Sequence, residues 1–145
     1  PGLPLLDRVM IRVIKDPETY ERFEKVVLLH GCRRVKELAY GEMITEKLPN
    51  DELIGEYIRN QLVYYPTVTR DPFRNRGRIT DLIKTGKLFA DIGLASLDPV
   101  HDRVMICGSP ALVTDTRTLL NGKGFFEDNH GEPAQFVVEK AFAER

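Results

Sequence analysis

Two stretches of the chain carry residue types that do chemistry. Residues 70–78 read RDPFRNRGR, four arginines against one aspartate, a local charge of +3 in a chain whose net charge is −1. A guanidinium fork matches a phosphate dianion with two parallel hydrogen bonds, so this is a candidate anion site. Residues 101–110 read HDRVMICGSP: charged residues, a short apolar run, then Cys107, Gly108, Ser109 and Pro110. Gly108 would let a flat ring lie against the backbone beside the thiol, while Ser109 can cap a helix that Pro110 opens. Both stretches also have plainer readings. The first could be a solvated arginine loop, and Cys107 could be a small buried hydrophobe at a strand end. No histidine is tied to Cys107 by local sequence, so a covalent nucleophile is not indicated.

These residues need elements to hold them. Residues 25–31 (KVVLLHG) form a continuous apolar run, read as a strand buried on both faces. Val35, Leu38, Ala39 and Ile44 then fall at helical spacing, and residues 51–60 place Leu53, Ile54, Tyr57 and Ile58 on one stripe. Residues 62–69 (LVYYPTVT) are β-branched and aromatic, with Pro66 assigning them to an edge or a strand end. Residues 78–86 predict a short amphipathic helix stopping near Gly86, 104–107 a buried strand, 110–120 a helix and 135–142 a last strand. This alternation predicts an α/β fold, a Rossmann-like parallel sheet with helices on both faces. Such sheets bind ligands at the carboxyl ends of their strands. Arg33 and Arg34 follow the first predicted strand, the arginine cluster follows the second, and Cys107 follows Ile106. A helix beginning near Arg78 would add backbone N–H groups to the anion site.

With 145 residues, 42% hydrophobic and 30% charged, the composition suits one domain with a single core. A pI near 6.4 argues against nucleic-acid or membrane-surface partners, and basic residues gathered at one edge favour a phosphate on a small ligand. The two cysteines and three histidines do not fall at metal-ligand spacing, so neither a metal site nor a disulfide framework is expected, and the reducing cytoplasm is the expected location. There is no run of about 18 apolar residues and no secretory pattern. His30 and His101 are expected as hydrogen-bonded structural residues and His130 in an exposed loop. Tyr64 and Tyr65 alternate across a strand, so one should face the core while the other could stack on a base, packing being the plainer role for both.

Taken in order, VVLLHGCRRVKELAY, YYPTVTRDPFRNRGRITDLIKTGKLF, DIGL, MICGSPALVTDT and VVEKAFAER resemble the pyridine-nucleotide domain of bacterial ferredoxin (or flavodoxin)–NADP⁺ reductases, from about Lys15 to Arg145. The resemblance implies NADP(H) across the carboxyl edge of the sheet, an FAD-binding β-barrel domain preceding it, and hydride transfer between nicotinamide C4 and flavin N5. Single electrons would then pass to ferredoxin or flavodoxin. It implies that Arg70 and Arg78 grip the 2′-phosphate with Arg33 assisting, Arg74 and Arg76 being weaker candidates in a variable stretch. It further implies that the nicotinamide rests against Cys107, Gly108, Ser109 and Pro110. Cys107 would be a positioning group near the transfer site, and Phe142 the aromatic that covers the flavin and must shift for the nicotinamide to enter.

The first twelve residues depart from that pattern. They read PGLPLLDRVMIR and lack the Gly-Thr-Gly-x-Ala-Pro loop that cradles the pyrophosphate in the family. The NADP-binding domain is therefore expected over 13–145, with 1–12 outside the match. No Arg-x-Tyr-Ser-like flavin motif occurs, and 145 residues leave no room for an FAD domain, so FAD is expected only with that missing domain. A fragment or truncated gene product is the expected origin, inactive alone and prone to self-association through exposed apolar surface. The alternative is a non-catalytic nucleotide- or protein-binding domain that has lost both the flavin and the pyrophosphate loop.

Overall fold

The computed structural model describes residues 13–38, 41, 43–128 and 135–138. The described residues divide into two compact units, one up to Leu82 and the other from Ile83 onward.

In the first unit, α1 (Pro17–Arg22) starts from the Asp16 side chain, which accepts from the Glu18 N–H at 3.0 Å, and Pro17 supplies the preset first turn. Strands β1 (Val26–Cys32) and β2 (Leu62–Val68) run parallel, Val26 opposite Leu62 and Cys32 opposite Val68. Between them lie 3₁₀ turns at Val35–Glu37 and Leu48–Asn50, a π-helical turn at Met43–Lys47, and α2 (Gly55–Gln61). Leu28, Ile44, Leu48, Ile54, Ile58, Tyr65 and Val68 are buried in this unit. Gln61 Nε2 donates to the carbonyls of Tyr20 (2.8 Å) and Phe23 (2.7 Å), and Tyr20 stacks on Tyr57 with centroids 5.5 Å apart, which fixes α1 against α2.

Two local expectations change, and a third resolves between its alternatives. The helical spacing at 35–44 yields separate 3₁₀ and π turns; Val35 donates its N–H to the Asp71 carboxylate, while residues 39, 40 and 42 lie outside the described residues. The helix expected over 51–60 begins at Gly55, after a turn in which the Asp51 carboxylate accepts from the N–H groups of Leu53 (2.8 Å) and Ile54 (3.1 Å) and the Asp51 carbonyl from that of Gly55 (2.9 Å). A Cβ on Gly55 would sit 2.6 Å from the Pro49 carbonyl oxygen, so that turn requires glycine. Pro66 lies inside β2, opposite His30, not at its end. Among the described residues β2 pairs with no strand except β1, the edge setting in which a strand tolerates proline.

Helix α3 (Ile79–Thr85) leads into the second unit. There α4 (Lys87–Ile92) is bracketed by Gly86 and Gly93, both left-handed (φ 81° and 71°). Strands β3 (Val104–Ile106) and β4 (Phe136–Val138) are parallel, with α5 (Pro110–Gly122) between them in sequence. Ile106, Leu120, Phe125 and Phe136 form the core of this unit, flanked by Val104, Val113 and Val138.

The α/β class with parallel strands is as expected, but the described strands form two parallel pairs in place of one continuous sheet. Among the described residues no helix is long and apolar enough to cross a membrane, no cluster of three or more His, Cys, Asp or Glu could hold a metal, and neither cysteine forms a disulfide.

Candidate functional site

Because β1 and β2 are parallel and in register, their carboxyl ends lie side by side. The pairing runs on past the strands: Thr69 donates to the Cys32 carbonyl (3.2 Å) and Arg70 to the Arg33 carbonyl (2.8 Å). Asp71 then reaches across, Oδ1 accepting from Arg34 Nη1 at 3.0 Å and Oδ2 from the Val35 N–H at 2.8 Å. Beyond Asp71 the chain folds back on β2. Val68 donates to the Asn75 carbonyl (3.3 Å), Gly77 to the Val68 carbonyl (3.0 Å), Thr67 Oγ1 to the Gly77 carbonyl (2.9 Å) and Asn75 Nδ2 to the Pro66 carbonyl (2.8 Å). Gly77, at φ 131°, adopts a conformation that side chains disfavour. Leu82 donates to the Arg78 carbonyl at 3.0 Å, so Arg78 stands at the entry of α3.

This backbone carries a crowd of guanidinium groups. Arg33, Arg70, Arg76 and Arg78 are exposed, and among the described residues none is paired with a carboxylate. Arg74 lies over the Phe73 ring, 4.6 Å from its centroid. Arg34 is the exception, engaged by Asp71. Like charges held together repel, and an anion carrying two charges relieves them. Beneath the loop, burial pushes the Tyr64 phenol up to about 12, with Cys32 adding to the rise and the Arg74 charge opposing it. The Tyr64 hydroxyl is buried without a partner among the described residues, whereas Tyr65 packs in the core. His30 Nε2 lies 3.5 Å from Cys32 Sγ, and His101 Nδ1 lies 2.7 Å from Asp98 Oδ2, so both histidines are hydrogen-bonded as expected.

In the second unit, β3 ends at Ile106 and the partly buried Cys107 follows. Ser109 caps α5, its Oγ accepting from the Leu112 N–H at 3.2 Å, and Pro110 opens the first turn. A Cβ on Gly108 would run into Leu112 Cδ2, so the space freed by this glycine is taken by a side chain of the same turn. Arg117 forks onto Glu127 (Nε–Oε1 2.6 Å, Nη2–Oε2 3.3 Å), tying α5 to a segment that bridges to β4 at Phe136.

A ferredoxin–NADP reductase A of Sorangium cellulosum is 55% identical to this chain over 133 residues, covering 92% of this chain and 48% of the relative. A ferredoxin–NADP reductase of Azotobacter vinelandii is 53% identical over 134 residues, covering 92% and 52%. Over about nine tenths of its length (92–93%) the chain is thus similar to one half of ferredoxin–NADP reductases. It spans about half the length of the curated relatives it matches. The crystal structure of a ferredoxin NADP⁺ reductase from Neisseria gonorrhoeae with bound FAD and NADP matches 88% of this chain and 48% of that one, with a TM-score of 0.71 and 26% identity. No protein-family model matches the chain.

The residues singled out by type and spacing fall into two groups. Arg33 and Arg70 are neighbours through their backbones, and Arg78 ends the same loop that Arg70 begins. Cys107, Gly108, Ser109 and Pro110 form one strand-to-helix turn in the other unit. Phe142 and His130 lie outside the described residues. Sequence reasoning missed Asp71, Thr67 and Asn75, which shape the loop. Asp71 was visible only as a charge subtracted from four arginines, and its placement after Arg70, opposite a second arginine pair, was the available signal.

Proposed function

We propose that the chain is the NADP(H)-binding domain of a ferredoxin- or flavodoxin-dependent NADP⁺ reductase, over residues 13–145. The observation that carries this reading is the set of exposed guanidinium groups that, among the described residues, have no carboxylate partner, placed where two parallel strands end side by side. That arrangement fits the extra phosphate by which NADP differs from NAD, and the family relatives bear the corresponding names. Arg70 and Arg78 hold the 2′-phosphate and Arg33 assists. The 107–110 turn seats the nicotinamide, with Cys107 as a positioning group on a capped and therefore well-anchored turn. Phe142 is assigned to the flavin face.

The bound nicotinamide supplies a hydride donor, and FAD, held by a domain in the part of the relatives that this chain does not span, supplies the acceptor that releases electrons singly. The work of this chain is to select NADP(H) by charge and hold its ring still. Ferredoxin or flavodoxin is the partner of the whole enzyme, and the cytoplasm its location. Equilibrium titration tests the reading. NADP⁺ is expected to bind at least about tenfold more tightly than NAD⁺, the worth of one charge-assisted contact. Because guanidinium–phosphate attraction is screened, the gap should narrow as salt rises. Equal affinities at low salt refute it.

A further inference from the structure

Asp71 is out of place by charge alone. A carboxylate beside five guanidiniums that, among the described residues, have no carboxylate partner weakens the field that would attract a dianion, and it occupies Arg34, which would otherwise be a sixth cationic group there. Its geometry supplies a different role. Both oxygens are used, one on the Arg34 guanidinium (3.0 Å) and one on the Val35 N–H (2.8 Å). The bond from Arg70 N–H to the Arg33 carbonyl, 2.8 Å, lies immediately beside them. The loop after β1 and the loop after β2 are thus joined at successive residues, 33, 34 and 35 on one side and 70 and 71 on the other. The Arg34 N–H also donates to Glu37 Oε1 at 2.9 Å, so the start of the β1 loop is held from both directions.

We propose that Asp71 is a positioning residue for nucleotide selectivity: by clamping Arg34 and Val35 it fixes the backbones of Arg33 and Arg70 so that their guanidiniums converge on one phosphate. This inference rests on the assignment of those arginines to the 2′-phosphate. Charge and geometry predict opposite signs for its removal. If Asp71 were only a negative charge near an anion, replacing it would free Arg34 and tighten NADP⁺ binding. If it is a clamp, replacing it releases the two loops and loosens binding despite the more favourable charge.

The test uses Asp71→Ala and Asp71→Asn in the intact protein, with dissociation constants for NADP⁺ and NAD⁺ measured at low and high salt. NADP⁺ affinity is expected to fall about three- to tenfold in Asp71→Ala, the scale of a partly solvated charge-assisted contact, with a smaller fall in Asp71→Asn. NAD⁺ affinity should hold, which a general structural defect would not allow, and the fall should persist at high salt because geometry is not screened. Tighter NADP⁺ binding in either variant, or an unchanged NADP⁺/NAD⁺ ratio in both, overturns the clamp. A wild-type protein that does not prefer NADP⁺ overturns the phosphate assignment itself, and the clamp with it. A preference that survives intact in both variants removes only the clamp.

Discussion

Replacing Arg70 and Arg78, singly and together, separates a shared phosphate site from a merely basic loop. Both side chains are exposed, and among the described residues neither is paired with a carboxylate. Removing either therefore breaks no ion pair there, and folding stability should stay within about 0.5 kcal/mol of wild type. A guanidinium–phosphate bond is worth roughly 1.5–3 kcal/mol, and solvent exposure places these two near the lower bound, about tenfold in affinity each. Two groups gripping one dianion are coupled, so the double variant should depart from the hundredfold product of the single losses by at least about twofold. Calorimetric titration of NADP⁺ and NAD⁺ at fixed ionic strength reads all of this. Equal losses for both nucleotides, or strictly multiplicative losses for NADP⁺, would show that the two arginines do not share the 2′-phosphate.

Burial holds the phenols of Tyr20 and Tyr64 up at about 12. The folded protein then keeps those protons longer than the unfolded chain, whose tyrosines ionise near 10, so stability is full below about pH 10 and drains away as pH rises towards 12. Phenolate absorbance should show at least these two of the five tyrosines ionising late; five groups titrating together near 10 would contradict the burial. Ser109→Ala removes the 3.2 Å cap on the Leu112 N–H and should cost about 1 kcal/mol in thermal or denaturant unfolding, with Ser109→Asp close to wild type. An unchanged midpoint for Ser109→Ala would mean that the cap does not anchor the turn.

Elements with strong local signals were legible in the sequence. A continuous apolar run marked β1 and β-branched and aromatic content marked β2, each to within a residue, and Ser109–Pro110 marked the start of α5, because cap and proline act through the backbone next to them. Asp16–Pro17 carries the same cap-then-proline signature, yet α1 was missed because its six residues show too little apolar periodicity to be noticed. At 35–44 and 51–60 the helical elements are shorter than the spacing suggests, and a carboxylate accepts N–H groups at the start of each, Asp71 from a distant loop at Val35 and Asp51 locally at Leu53 and Ile54. Local capping by Asp51 could have been read from sequence. The reach of Asp71 could not, since it depends on the parallel register that sets β1 beside β2. The site followed the same rule: arginine types and their places after strands were readable, while the bonds that shape their loop were not.

Those bonds explain how so many like charges can share one short loop. Like charges on one short loop repel one another, which alone would favour a loop splayed into solvent. Instead Thr67 and Val68 of β2 fasten it at Asn75 and Gly77, Asn75 returns to Pro66, and Gly77 supplies the turn that makes the return geometrically feasible. These are backbone and neutral side-chain hydrogen bonds, indifferent to salt and to the charges they restrain. The loop therefore holds its shape before any anion arrives, and an incoming phosphate meets charges already gathered, with little ordering entropy left to lose. Preorganisation of this kind would concentrate the arginines' field on the proposed phosphate, and would let a chain with a net charge of −1 take an anion where β1 and β2 end.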